Sequence, residues 1–279
     1  MTQPARIAQL DVASAEEFLA RKPAWVKSDQ TPTDAAALIA MVQVAKPKAM
    51  VEIGTSAGEG AAAMLYGTQT FGSELFSLDL SETVYYDRSK PIGAVVDEAF
   101  PEFLPRYQRR TGVMCDAVRT LDRRFDFVHI DGAHAHPWAT VDFLRCLPFL
   151  NEGALVAFHD ANYMAAISQA AYYFARILPG EFVGNHFLLR YEGPTDTLFQ
   201  GLMDVLEINW QQNLAEQAIV NLYEDLLMVF PAKQAGALCA RVLERHANYQ
   251  KFTHLYSEVH GALWKREIER RKLLSEAKP

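Results

Sequence analysis

The chain's hydrophobic pattern switches between two textures. Short apolar runs bounded by polar or turn residues occur at Ala49–Ile53, Leu75–Leu80, Thr111–Asp116, Phe125–Gly132 and Gly153–Asp160. Runs of this length with little alternation are what strands buried on both faces of a parallel sheet produce. Helical segments lie between them: Ala35 to Ala45, the strong helix former Ala61-Ala62-Ala63-Met64-Leu65, a short stretch within Ile92 to Phe103, Ala139 to Leu150, and Ala165 to Leu178. Alternating strands and helices predict a doubly wound α/β domain. Two more extended runs, Glu181 to Gly184 and His186 to Tyr191, flank Gly184-Asn185. That pair predicts a hairpin turn and an antiparallel last strand on a mainly parallel seven-stranded sheet.

The ends of the chain read differently. Residues 1–30 form a helical lead-in, with Ser14-Ala15-Glu16-Glu17 as a capping box in which Ser14 is the N-cap. Thr31-Pro32-Thr33-Asp34 opens the next helix, with Pro at N1 and an acid in the first turn. The α/β domain is expected over 31–193. From 194 to 279 strand signals stop and apolar residues recur at helical spacing: Leu198, Leu202 and Val205; Leu214, Ala218, Leu222 and Leu226; Phe252, Leu255, Val259 and Leu263. This extension is expected to be a lid or a dimer interface, because its apolar faces must bury against something. The closing run Lys265 to Lys272 reads as a solvated helix face.

The richest segment is Val51-Glu52-Ile53-Gly54-Thr55-Ser56-Ala57-Gly58-Glu59-Gly60. It is a strand, a glycine-spaced turn and a helix start. Glycines let the backbone approach a ligand closely, and a helix N-terminus offers free N–H groups. A nucleotide-like cofactor at this turn is the natural reading. Acids close the expected strands: Glu52, Asp79, Asp116, Asp131 and Asp160. In an open parallel sheet the carboxyl edge is where ligands bind.

Composition narrows the partners. A net charge of −7 argues against general nucleic-acid binding. Cys115, Cys146 and Cys239 show neither metal-ligand spacing nor a disulfide framework, which suggests a reduced, cytoplasmic protein. No apolar segment follows the N-terminus as in a signal peptide, and none approaches the roughly 20 residues of a membrane span. Half the residues are hydrophobic, enough for a sizeable core.

Val51 to Gly60, Leu78-Asp79, Phe125 to His134 and Asn151 to Asp160 together resemble the class I S-adenosylmethionine (SAM)-dependent methyltransferases, which have a Rossmann-like fold. More narrowly, they are similar to small-molecule O-methyltransferases with an Ile-Asp-Gly-x-His segment, here Ile130 to His134. The resemblance covers about Thr31 to Gly193. It implies that Glu52 and the Gly54, Thr55, Ser56 and Gly58 backbone hold the cofactor's methionine part. It also implies that Asp79 with Leu80 takes the ribose, that Asp116 with Ala117 borders the adenine, and that Asp131 faces the transferred methyl. The implied partner is a small hydroxyl acceptor, and a homodimer is expected.

Methyl transfer to oxygen needs an aligned nucleophile that loses its proton. His134, three residues past Asp131, is the expected base, because an imidazole titrates near neutral pH. Asp131 and Asp160, with Asn162, are candidate Mg²⁺ ligands. Metal-dependent relatives carry Asp or Asn directly after the acid of the fifth strand, and this chain has Ala161 there. Both metal-assisted and metal-free chemistry therefore stand.

Other readings stay open for other residues. A nicotinamide-dependent oxidoreductase would share the fold, but its Gly-x-Gly-x-x-Gly fingerprint fails here at the third position. Another SAM-using enzyme, or a non-catalytic SAM-binding protein, would share the motifs. His129 reads as a core histidine. His159 reads either as support for the site or as a substrate contact. Trp138, Tyr85, Tyr86 and Arg88 are either pocket-lining or surface residues.

Overall fold

The computed structural model describes residues 10–27, 30–176, 178–212, 214 and 216–248. The apolar pattern of residues 252–263 and the charged run 265–272 lie outside them. Helix α1 (Val12–Ala20) is capped by Asp11, whose side chain accepts from the Ser14 backbone N–H. The cap is thus three residues earlier than Ser14, which occupies the first turn. An ionised carboxylate facing free N–H groups is as good a cap as a hydroxyl. Helix α2 (Pro32–Ala45) opens as expected, with a reciprocal Thr31–Asp34 capping box.

The sheet is built from β1 (Ala49–Ile53), β2 (Glu74–Asp79), β5 (Tyr107–Thr111), β6 (Phe125–Ile130), β7 (Leu150–Phe158), β8 (Gly180–Val183) and β9 (His186–Arg190). Its order is β5-β2-β1-β6-β7-β9-β8. The first five strands run parallel, and β9 pairs antiparallel with both β7 and β8. This is the Rossmann-like doubly wound sheet that the sequence predicted. The last strand in sequence lies between β7 and the edge strand β8.

Strand parity sorts the core. Met50, Leu75, Phe127 and Leu155 face one layer, with α1, α2, α3 (Glu59–Gly67) and α4 (Ala94–Ala99). Val51, Phe76, Val128 and Val156 face the other, with α5 (Trp138–Cys146) and α6 (Ala165–Ala175). Strands covered on both faces explain the unbroken apolar runs.

Three elements depart from expectation. The third strand in the sheet is Tyr107–Thr111, not residues 111–116, which lead into a 3₁₀ turn at Cys115–Thr120. As an edge strand, β5 carries Gln108, Arg109 and Arg110 without cost, so its sequence lacks the apolar signature. The irregular segment after β2 contains a small hairpin, β3 (Thr83–Val84) and β4 (Asp87–Pro91). The α5 segment ends at Cys146, and β7 already starts at Leu150.

After β9 come α7 (Asp196–Leu206), α8 (Glu216–Leu227) and helical residues 232–248. Leu198, Leu202, Leu222, Leu226, Leu238 and Val242 join the same core cluster as β6 and α5. Arg145, buried in α5, donates from Nη2 to the Ala218 carbonyl at 2.7 Å, and Arg119 Nη2 donates to Asp225 at 2.7 Å. Much of the extension's apolar face is therefore covered within the chain. No helix among the described residues is long and apolar enough to cross a membrane.

Candidate active site

The carboxyl ends of β1, β2 and β6 open into a cleft of about 1200 Å³. Its floor is the turn between β1 and α3. Gly54 has φ +85°, and a Cβ there would sit 2.3 Å from the Asp131 carbonyl oxygen. Only glycine lets the turn pass so close to the end of β6. Gly58, at φ +97°, caps α3 and points its first turn at the cleft. Ser56 also adopts a left-handed conformation, at φ +47°. Such backbone outliers concentrate at binding sites.

Asp79 holds the turn in place. Its Oδ2 accepts from the Thr55 and Ser56 backbone N–H groups, both at 2.9 Å, and its Oδ1 from Ser81 N–H at 2.7 Å. Leu80, beside it, is largely exposed and forms a cleft wall. At the opposite end stand Asp131, His134, His159 and Asp160. His159 Nδ1 lies 2.9 Å from Asp131 Oδ1, and His134 Nε2 lies 3.1 Å from Asp160 Oδ2 and 3.9 Å from Asp131 Oδ1. Asp160 is left-handed at φ +57° and is anchored by Asn185 Nδ2 at 2.7 Å.

These groups set one another's charge. Burial disfavours the Asp131 carboxylate, but His159, His134 and His129 outweigh it and hold its pKa well below the usual carboxylate range. Burial also works against a charged His159, yet Asp131 and Asp160 raise it to about 9. For His134, Asp131 and then Asp160 raise the pKa against burial. We read Asp160 as its direct ion partner, because 3.9 Å to Asp131 is beyond hydrogen-bond reach.

Of the residues singled out in the sequence, Gly54, Thr55, Ser56, Gly58, Asp79, Leu80, Asp131, His134, Asp160 and Asn162 line the cleft. Three do not. Glu52 shares the strand face of Met50, so its side chain points beneath α3. There it is 1% exposed, accepting from Ser77 Oγ at 2.7 Å with His129 Nδ1 at 3.4 Å. Asp116 rides on the 3₁₀ turn and is turned toward the extension, where Asn221 Nδ2 donates to it at 2.9 Å. Its neighbour Ala117 packs against the core. The side chains of Glu52, Asp116 and Ala117 thus lie away from the cleft.

Asp131, His134 and Asp160 bring one ligand atom each within 4.8 Å of one another. Asn162 also lines the cleft, and its side-chain nitrogen donates to the Gly184 carbonyl at 2.6 Å. His129 is buried, as expected of a core histidine, and also borders the cleft; the sequence pattern passed over Asp142, a cleft-lining acid in α5. The one sequence signal for Asp142 is an acid set between Val141 and Phe143 on a helix that is otherwise apolar there.

Residues 51–161 match the family described as a methyltransferase domain. No curated protein matches the chain. Among solved structures, the chain is similar to the O-methyltransferase from Bacillus cereus in complex with SAH, at 19% identity and a TM-score of 0.47. That likeness covers 64% of this chain and 90% of the other. The methyltransferase PaMTH1 from Podospora anserina, bound to SAH, is 18% identical with a TM-score of 0.40, covering 86% and 80%. The O-methyltransferase TomG from Streptomyces achromogenes, in complex with SAM, is 16% identical with a TM-score of 0.42, covering 65% and 88%.

Proposed function

We propose that this chain, whose residues 51–161 are a methyltransferase domain, moves the methyl group of SAM to a hydroxyl oxygen of a small molecule. The observation that carries the reading is a cleft at the sheet's carboxyl edge. It joins the Gly54–Gly58 turn and Asp79 to the Asp131, His134, His159 and Asp160 cluster.

The cofactor fits this cleft from its floor outward. Its carboxylate meets the N–H groups at the start of α3. Its ribose lies at Asp79, and its sulfonium faces the histidine–carboxylate cluster. The protein then needs to align the acceptor and take its proton. Neutral His134, whose Nε2–H donates to Asp160, accepts that proton at Nδ1, and the Asp160 carboxylate stabilises the imidazolium that forms. His159 plays a different part. With a pKa of about 9 it stays protonated at neutral pH and locks Asp131 in place. The acceptor enters between the β3–β4 hairpin, through Tyr85 and Tyr86, and the loop after β7, through Tyr163.

Two carboxylates and an imidazole within 4.8 Å also suit a divalent cation such as Mg²⁺. Asp131, His134 and Asp160 would hold it, and a bound cation lowers the pKa of a coordinated hydroxyl. Gln212, from the extension, borders the cleft, which supports a covering role for that segment. Incubation with methyl-labelled SAM and a panel of small hydroxyl compounds tests the function. Transfer of label to an acceptor is expected; SAM binding without transfer to any acceptor would favour a non-catalytic role.

A further inference from the structure

With Asp116 turned away, the base end of the cleft needs another polar group, and the structure offers one. Asp142 sits in α5 and lines the cleft, as do Leu80, Val113, Met114 and Cys115, and the Cys115 thiol lies 3.6 Å from the Asp142 backbone carbonyl. Its Oδ2 lies directly above the backbone that follows β6: a Cβ built on Gly132 would come within 3.3 Å of it. The residue is 6% exposed. Among the described residues no N–H or O–H group donates to its carboxyl, although buried carboxyls ordinarily find such partners. The Cys115 thiol and the charge of Arg145 favour ionisation, but burial outweighs them and pushes the pKa to about 7. A buried, underused carboxyl between apolar walls is a poor structural element. It suits a flat heterocycle with a polar edge.

Position identifies which part of the cofactor meets it. Asp79 ends β2, and the Val113 N–H bonds back to the Asp79 carbonyl at 3.0 Å, so the slot at Val113–Cys115 adjoins the expected ribose site. It lies on the side of β2 and β5, away from the His134–Asp160 cluster beyond β6. A nucleoside whose sugar is at Asp79 and whose sulfur faces His134 has its base in this slot. We propose that the Asp142 carboxyl receives the amino edge of adenine and makes the cleft selective for an adenosyl cofactor. This rests on the SAM reading above. A carboxyl can accept from the 6-amino group in either protonation state, and in its neutral form it also donates to the adjacent ring nitrogen.

The test is a cycle between the residue and the 6-amino group. Calorimetry measures binding of S-adenosylhomocysteine, and of its analogue with hydrogen in place of that amino group, to the wild type, Asp142→Leu and Asp142→Asn. The wild type is expected to prefer the parent compound by about tenfold, the worth of one good hydrogen bond. Asp142→Asn keeps an accepting oxygen and retains the preference. In Asp142→Leu the two compounds bind about equally. A structural role alone would weaken both and leave their ratio unchanged. A preference that persists in Asp142→Leu, or is absent from the wild type, overturns the assignment. If Asp142→Leu does not fold, Asp142→Ala gives the same comparison with the slot left open. Failure of the wild type to bind either compound would instead overturn the SAM reading itself.

Discussion

Replacing Asp79 with alanine separates two tasks that one carboxylate performs. Ionised, it offers about four acceptor sites. Three are taken by the Thr55, Ser56 and Ser81 N–H groups at 2.7–2.9 Å, which leaves one lone pair for a ribose hydroxyl. Hydrogen bonds to a charged group contribute about 1.5–3 kcal/mol each, and cleft water replaces part of what alanine removes, so we expect a loss of about 2–4 kcal/mol in the ligand-free protein. At about 2–4 °C per kcal/mol for a chain of this size, the melting temperature falls by about 4–16 °C. The missing ribose contact adds about 1.5–3 kcal/mol, or about 10–150-fold in the Kd for SAM. Asp79→Asn is the control. Its amide oxygen still accepts from Thr55 and Ser56, so most stability returns while ribose binding stays impaired. Thermal melting without ligand and calorimetry with SAM read the two effects separately. An alanine variant that melts with the wild type refutes the anchoring of the turn. Unchanged SAM affinity refutes the ribose assignment.

Other outcomes follow from the same geometry. Gly54→Ala combines a positive φ with a Cβ 2.3 Å from the Asp131 carbonyl, and should lower the melting temperature and abolish SAM binding; near-normal binding would show that the turn can move aside. His134→Ala should reduce kcat by about 10²–10⁴-fold while leaving the SAM Kd within about twofold, the signature of a lost general base. Asp142 has a folded-state pKa raised to about 7 from an ordinary 3.8, so its burial is tolerated in full below pH 4 and becomes increasingly destabilising as pH rises to 7. Asp142→Asn should therefore melt above the wild type at pH 8, by at most about 4 kcal/mol at 1.36 kcal/mol per pKa unit, and alongside it near pH 4; a constant gap across that range would contradict the assignment. If a cation joins Asp131, His134 and Asp160, chelation should abolish turnover and Mg²⁺ restore it. Full activity in excess chelator would leave His134 to act alone.

The sequence was most legible where both faces of a strand are covered. Val51, Val128 and Val156 sit in apolar runs because helices flank them on either side, and their strands appear close to the expected boundaries. It was least legible at the sheet's edge. Tyr107–Thr111 reads as polar because solvent takes one side of it, and the apolar Val113-Met114 beyond drew the expected strand forward. The Gly54–Gly58 turn, Asp79, Asp131, His134 and Asp160 were expected at one sheet edge because they follow strand ends, and all of them line the cleft. Asp116 was misplaced for the same reason: once β5 moved back, the acid no longer closed a strand and turned toward Asn221. Glu52 needed parity rather than motif. Two residues after Met50, it had to face α3. Asp142 was passed over because what surrounds it comes from tertiary neighbours across the cleft, whereas His159, read as site support or substrate contact, lies 2.9 Å from Asp131.

The most direct test is a crystal structure of the protein grown with saturating S-adenosylhomocysteine. The homocysteine carboxylate is expected at the start of α3, the ribose on Asp79, the adenine between Leu80 and Met114 with its amino edge at Asp142, and the sulfur facing His134. A ligand bound elsewhere, or side chains closing the cleft at saturating concentration, would contradict this placement.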